Sequence, residues 1–240
     1  MTTTLFVLTK NEIEGMKAIM PQVKKEWCDQ ILVVDGNSTD GTIEYARAMG
    51  YDVYLQKKPG LRAAYQESWP LIKGEYVITF SPDGNSPPEY IPALIDKIKE
   101  GYDMVIGSRF YRGLKSADDD VFTAFGNRLF TTVINVLHKG NYSDAMTIYR
   151  IYPKELFYRL GLHEDATYAL YERMFFTRIG IEPVLSVRCA KEMLKCAEIA
   201  CPEPPRIGGE RKLQIVRWGL AYMTQVLFEK FSPRKNPDIS

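Results

Sequence analysis

Short aliphatic and β-branched runs alternate with stretches of helical period along the first part of the chain. The apolar runs at 4–8, 31–34, 53–55, 76–80 and 104–106 predict strands. Between them, 12–27 (interrupted near Pro21), 41–49, 62–71 and 90–99 predict helices. Strand–helix alternation of this kind argues for βαβ units, hence an α/β fold with a mainly parallel sheet covered on both faces. No G-x-G-x-x-G follows the first strand, so the pyrophosphate turn of dinucleotide-binding enzymes is not expected.

After Gly107 the rhythm changes. An acidic patch at 117–120 precedes a helix predicted over 122–137, with Phe122, Phe125, Leu129, Val133, Val136 and Leu137 as its apolar stripe. Residues 202–209 read as a Pro/Gly-rich loop able to close over a ligand, and the tail from Ser232 as frayed. Between them, 211–231 predicts a helix with Leu213, Val216, Leu220, Met223 and Leu227 along one side. That side, with Trp218 and Phe228 close by and Arg211, Lys212 and Arg217 near its start, suits either the protein's own core or a bilayer surface. Core packing is the simpler expectation. The chain divides on this reading into a catalytic domain at 1–213 and a C-terminal helix and tail at 214–240.

Composition adds bounds. The 240 residues are 45% hydrophobic and 25% charged, an ordinary globular balance. With 31 basic and 30 acidic residues the net charge is +1, so no global field argues for nucleic acid. The amino terminus lacks a signal-peptide pattern and no apolar run approaches membrane-spanning length, so a cytoplasmic location is expected. The spacing of Cys28, Cys189, Cys196 and Cys201 fits no zinc pattern, and His138 and His163 lie in no motif, which argues against a His-based triad.

The candidate chemistry sits at two strand ends. Residues 33–42, VVDGNSTDGT, carry an apolar strand straight into a polar turn, with Asp35 placed to accept hydrogen bonds from a ribose or base and Gly36 and Gly41 permitting close backbone approach. Residues 81–89, SPDGNSPPE, form a second cluster at the same sheet edge, where Asp83 and Asn85 offer the hard oxygens that Mg²⁺ or Mn²⁺ prefers. The plainer alternatives are a polar βα turn for the first and a turn opening a helix for the second. Asp144 can equally be read as a cap or as pairing with Arg150.

Together with VIGSR at 105–109, these clusters resemble the family-2 glycosyltransferases of the GT-A fold, and within them the dolichyl- and polyprenyl-phosphate sugar synthases. LTKNE at 8–12, GNRLF at 126–130, DAMTIYR at 144–150 and RIGGERKL at 206–213 resemble further segments of that family, so the likeness runs over about 4–213. It implies an inverting transferase that moves a hexose from a GDP- or UDP-sugar to a polyprenyl phosphate, assisted by Mg²⁺ or Mn²⁺. Donor-nucleotide contacts are implied for Thr9, Asn11, Glu12, Asp35, Asn37, Arg62, Ser81 and Asp83, and metal contacts for Asp83 and Asn85. Catalytic roles are implied for Asp83, Arg109, Asp144, Arg206 and Lys212, the cations cradling an acceptor phosphate. A homodimer and a peripheral contact with the inner face of the membrane are further expectations.

The sequence departs from the family pattern at four places. Ser81 stands where relatives carry the first acid of the metal motif and Asn85 where they carry Gln, leaving one carboxylate and predicting weaker metal binding. Gly36 replaces the second Asp of the nucleotide motif, and Asp119 falls about where the family has an Arg, which bears on the acceptor. Two rival functions stay open. One is transfer to a saccharide or metabolite hydroxyl, which needs a carboxylate base such as Asp144 or Glu172. The other is a non-catalytic nucleotide-sugar-binding protein.

Overall fold

The computed structural model describes residues 1–118, 121–208 and 215–233. Among the described residues, seven strands form one sheet in the order β3-β2-β1-β4-β6-β5-β7. Strands β1 (Thr3–Thr9), β2 (Gln30–Asp35), β3 (Asp52–Leu55) and β4 (Tyr76–Phe80) are mutually parallel. β6 (Arg150–Pro153) runs antiparallel to both β4 and β5 (Met104–Ser108), and β7 (Cys196–Ala200) is parallel to β5. All seven residues of β1 are buried, as befits a central strand covered on both faces. Along β1 the side chains alternate between two cores, Phe6 and Leu8 joining one and Leu5 and Val7 the other.

The helices are α1 (Ile13–Ile19), α2 (Thr42–Ala48), α3 (Leu61–Ser68), α4 (Ile91–Ile98), α5 (Val121–His138), α6 (Leu156–Arg159), α7 (Ala166–Phe175), α8 (Glu182–Lys191) and α9 (Ile215–Glu229). The helix expected over 12–27 stops at Ile19. A 3-10 turn at Met20–Gln22 follows, because Pro21 has no N–H to continue the ladder. β6, α6, α7, α8 and β7 carry no expectation from the sequence, whereas α9 falls within the helix expected over 211–231. In α8 the residues from Glu182 to Ala190 are all buried, so no amphipathic stripe marks it, and β7 is half-buried at every position, so nothing alternates.

Two expected core faces turn inward only in part. Among the described side chains of α5, Thr131, Ile134 and His138 are buried and Val133 packs against the core, while Phe125, Leu129 and Val136 are exposed. On α9 Ala221, Gln225, Val226 and Glu229 are buried, while Leu220, Leu227 and Phe228 face outward. Buried polar bonds decide these rotations. His138 Nε2 lies 2.8 Å from the Val226 carbonyl, and Glu229 holds Arg188 at 2.6 Å, so α9 is fixed by polar anchors on its inner side. Because β1 lies between β2 and β4, the chain changes direction across the sheet there. The carboxyl ends of these three strands open a crevice of the kind that binds ligands in such folds.

Candidate active site

A cavity of about 890 Å³ occupies that crevice. Leu8, Thr9 and Lys10 enter from the end of β1, Val34, Gly36 and Asn37 from β2, and Ser81 and Asp83 from β4. Asp35 closes β2 with no exposure. Its carboxylate accepts Thr9 Oγ1 at 2.8 Å, the Ser38 N–H at 2.7 Å and Ser38 Oγ at 2.7 Å. Asp35 therefore shapes the turn after β2 from beneath, while its neighbours Val34 and Gly36 form the cavity wall.

Asn11 and Asn37 adopt left-handed φ angles of 55° and 62°, which Asn tolerates better than most residues. Asn11 Oδ1 accepts the Thr39 N–H at 2.9 Å, and Asn37 Nδ2 donates to the Gln56 carbonyl at 2.7 Å. These two residues lace the β1, β2 and β3 ends together. Glu12 is buried at the start of α1, its N–H donating to Thr42 Oγ1 at 3.0 Å.

Asp83 is 4% exposed. Its Oδ2 lies 2.8 Å from Arg206 Nη2, and its Oδ1 accepts the Asn85 N–H at 3.1 Å. Arg206 Nη1 is also 3.5 Å from Glu12 Oε1, so one guanidinium bridges two acids of the cavity. The loop bearing Arg206 is tied to the motif by its backbone. The Ile207 N–H donates to the Asp83 carbonyl at 2.7 Å, and Asn85 Nδ2 donates to that of Pro204 at 3.1 Å. Asn85 Oδ1 is buried with no hydrogen-bond partner among the described residues, an oxygen suited to a cation. Also among them, no group of three or more His, Cys, Asp or Glu side chains is arranged to hold a metal. Asp83 and Asn85 therefore fit only an ion that takes most of its ligands from a bound phosphate or water.

Arg109 and Asp144 stand one layer back. Arg109 Nε and Nη2 reach Asp144 Oδ2 and Oδ1 at 2.6 and 2.9 Å, a bidentate pair, and Nη1 lies 3.4 Å from Glu203. Burial of Asp144 pushes its carboxyl up, but the Arg109 charge and hydrogen bonds outweigh this and leave it below the usual carboxylate value. Arg150, the alternative partner of Asp144, instead donates to the Thr147 carbonyl at 2.8 Å and Ser186 Oγ at 3.0 Å. The strand geometry turns it into the core, away from Asp144. Arg62 borders an adjoining cavity of about 360 Å³ that shares Lys58, Pro59, Gly60, Arg178 and Ile179 with the first; it pairs with Asp165 and with Glu172 at 2.7 Å and lies over the Tyr168 ring at 4.5 Å. Lys212 and Asp119 lie outside the described residues.

Several cavity residues carried no expectation. Lys57 and Lys58, between β3 and α3, together with Arg178 add positive charge to the wall. The run QKKPG at 56–60, a basic pair and a Pro-Gly turn directly after a predicted strand, was the available signal. Trp218 and Tyr222, one helical turn apart on α9, complete the wall. Tyr222 Oη accepts the Gly180 N–H at 2.6 Å, which fixes the ring against the segment before α8.

Comparison with known proteins places this geometry. The profile of the family described as Glycosyl transferase family 2 matches residues 4–161. Glycosyltransferase AglJ of Haloferax volcanii is 29% identical over 213 residues, 88% of this chain and 66% of that protein. A dolichyl-phosphate hexose transferase of the same organism is 27% identical over 215 residues, 89% of this chain and 87% of that protein. The chain thus spans about two thirds of the first relative and most of the second. Glucosyl-3-phosphoglycerate synthase of Mycobacterium tuberculosis, solved with Mn²⁺, UDP-glucose and phosphoglyceric acid, superposes with a TM-score of 0.63 at 19% identity, covering 97% of this chain and 80% of that one. That likeness is one of fold, and the fold is the expected GT-A arrangement. The profile match covers well over half of the sequence and includes both polar clusters at the strand ends, and on that ground this chain belongs to glycosyl transferase family 2.

Proposed function

We propose that this protein transfers a sugar, with inversion, from a nucleoside-diphosphate sugar to a polyprenyl phosphate. The observation that carries the reading is the charge of the 890 Å³ cavity, where Lys10, Lys57, Lys58, Arg178 and Arg206 face Glu12 and Asp83. An excess of cations lining a crevice suits a diphosphate. The base and ribose would lie over the Asp35 turn and the diphosphate near Asp83 and Arg206. Homologues named for transfer to dolichyl phosphate favour the lipid acceptor.

In the reaction, an acceptor phosphate oxygen bonds to the anomeric carbon from the face opposite the diphosphate. The bond from that carbon to the diphosphate oxygen breaks, and its electron pair departs with the nucleotide. An anionic acceptor has no proton to remove, so no strong base is required. Both candidate bases for a hydroxyl acceptor are engaged, Asp144 by Arg109 and Glu172 by Arg62, which disfavours that rival. Asp83 and the Asn85 oxygen would hold Mg²⁺ or Mn²⁺, an ion that neutralises charge on the departing diphosphate. Arg206 stabilises the same charge directly.

Among the described residues no helix is long and apolar enough to cross a membrane. A lipid acceptor would instead be met at a surface. α5 and α9 turn apolar side chains outward, Phe125 and Val136 from one and Leu220, Leu227 and Phe228 from the other. Arg128, Lys139, Arg217 and Lys230 are exposed on or beside these helices, and the one carboxylate of α9, Glu229, is buried. Apolar stripes flanked by cations suit an anionic leaflet.

The test is a donor screen read by nucleotide release. UDP- and GDP-sugars are offered with a short polyprenyl phosphate, the matching unphosphorylated polyprenol, or a free sugar. Release that depends on the phosphorylated lipid supports the reading. Binding of nucleotides without release for any acceptor favours the non-catalytic rival.

A further inference from the structure

Asp83 is the one carboxylate among residues 81–85, because Ser81 stands two positions before it. Its Oδ2 is taken by Arg206 at 2.8 Å and its Oδ1 by the Asn85 N–H at 3.1 Å. The oxygen beside it, Asn85 Oδ1, is buried and has no partner among the described residues. Arg206 is not a loosely attached surface cation. Its loop is pinned to the motif through Ile207 and Pro204, and Gly84 at φ 93° lies so close beneath that a Cβ would come within 3.0 Å of the Ile207 side chain. A single carboxylate cannot hold a guanidinium and a divalent ion in the same place, because the two cations repel across a short gap with little water to screen them. Arg206 Nε is also buried without an acceptor among the described residues, so the guanidinium retains a donor for an incoming anion.

We propose that Arg206 is the resident counter-cation of Asp83, that the donor's diphosphate draws it off, and that a divalent ion takes Asp83 and Asn85 Oδ1 only once this exchange has occurred. Metal and nucleotide are then coupled. Each binds better in the presence of the other, through competition for one carboxylate. The proposal rests on the reading of Asp83 as a metal ligand, and it assigns Arg206 a positioning role that a passive phosphate contact would not have.

Titration of free Mn²⁺ by electron paramagnetic resonance, without substrate turnover, tests it. Without nucleotide, Arg206→Gln should bind Mn²⁺ roughly tenfold more tightly than the parent, about 1.4 kcal/mol. Added UDP or GDP should close or reverse the gap, since the parent then releases Asp83 as well. Arg206→Lys keeps the competing charge and should behave as the parent, and Asp83→Asn in the Arg206→Gln background should remove the gain. Thermal melts establish that each variant is folded, and Arg206→Ala replaces the Gln variant if it is not. Equal or weaker Mn²⁺ binding by the Arg206 variant without nucleotide overturns the exchange while leaving the metal site intact. A gain that survives Asp83→Asn overturns it too. Absence of Mn²⁺ binding in every protein, with or without nucleotide, removes the metal from the proposed function along with the exchange.

Discussion

Arg109 and Asp144 form a two-point ion pair, 2.6 and 2.9 Å long, between the end of β5 and the segment that leads into β6. Asp144 has no exposure, so the pair is a joint of the scaffold behind the cavity. Asp144→Asn leaves a guanidinium with little water around it, and losing one member of such a pair costs about 3–5 kcal/mol. The expected fall in Tm is on the order of 10 °C. The sign with pH follows from the lowered carboxyl. Its stabilisation is present above the ordinary value of 3.8 and is lost as pH falls through the depressed folded value. Melting curves of parent and variant should therefore differ fully at neutral pH and converge in strong acid. A constant gap down to the acid limit would show that Asp144 is not held ionised by Arg109.

Asp35 organises the turn after β2 through three hydrogen bonds from Thr9 and Ser38. Asp35→Ala leaves these donors without their acceptor, at a cost of about 1–3 kcal/mol for a buried group. Calorimetry with UDP and GDP should show weaker binding, and melting should show lower stability. Unchanged nucleotide affinity in a destabilised variant would separate the turn from the ligand.

Two glycines give opposite expectations. A Cβ on Gly15 would run into the Pro82 carbonyl, so Gly15→Ala pushes α1 away from the motif carrying Asp83 and should destabilise by about 1–3 kcal/mol, with turnover reduced. A Cβ on Gly219, inside α9, would meet nothing within 4 Å. Gly219→Ala should stabilise by about 0.5–1 kcal/mol through helix propensity. Denaturant titration of both variants checks the pair.

The outward stripes of α5 and α9 make a surface prediction. The protein should sediment with vesicles containing anionic lipid and less with neutral ones, and salt should weaken the binding. Phe125→Glu with Phe228→Glu should reduce co-sedimentation while leaving Tm nearly unchanged, because both rings are at least half exposed. Equal vesicle binding by the double variant would place the contact elsewhere.

The legible part of this fold was the alternation that builds β1 to β5, because each strand is a short apolar run ending in polar turn residues. β6 was hidden by Arg150, a charged residue buried by bonds to Thr147 and Ser186 that no local pattern announces. The faces of α5 and α9 were misread in part for a related reason. Their inner sides are anchored by His138 and Glu229, so apolar periodicity marks the buried surface only in part. At the site, Asp35, Ser81 and Asp83 were marked by their place at strand ends. The pairing of Arg206 with Asp83, of Arg109 with Asp144 and of Arg62 with Glu172 spans up to 123 positions in the sequence and depends on tertiary geometry alone.

Asp83 is the residue on which the proposed chemistry depends most directly. Acceptor-dependent nucleotide release, measured with the donor that the screen selects and a short polyprenyl phosphate, should fall by about 100-fold or more in Asp83→Ala if that carboxylate serves the departing diphosphate. A folded Asp83→Ala protein that releases nucleotide at the parent's rate would contradict it.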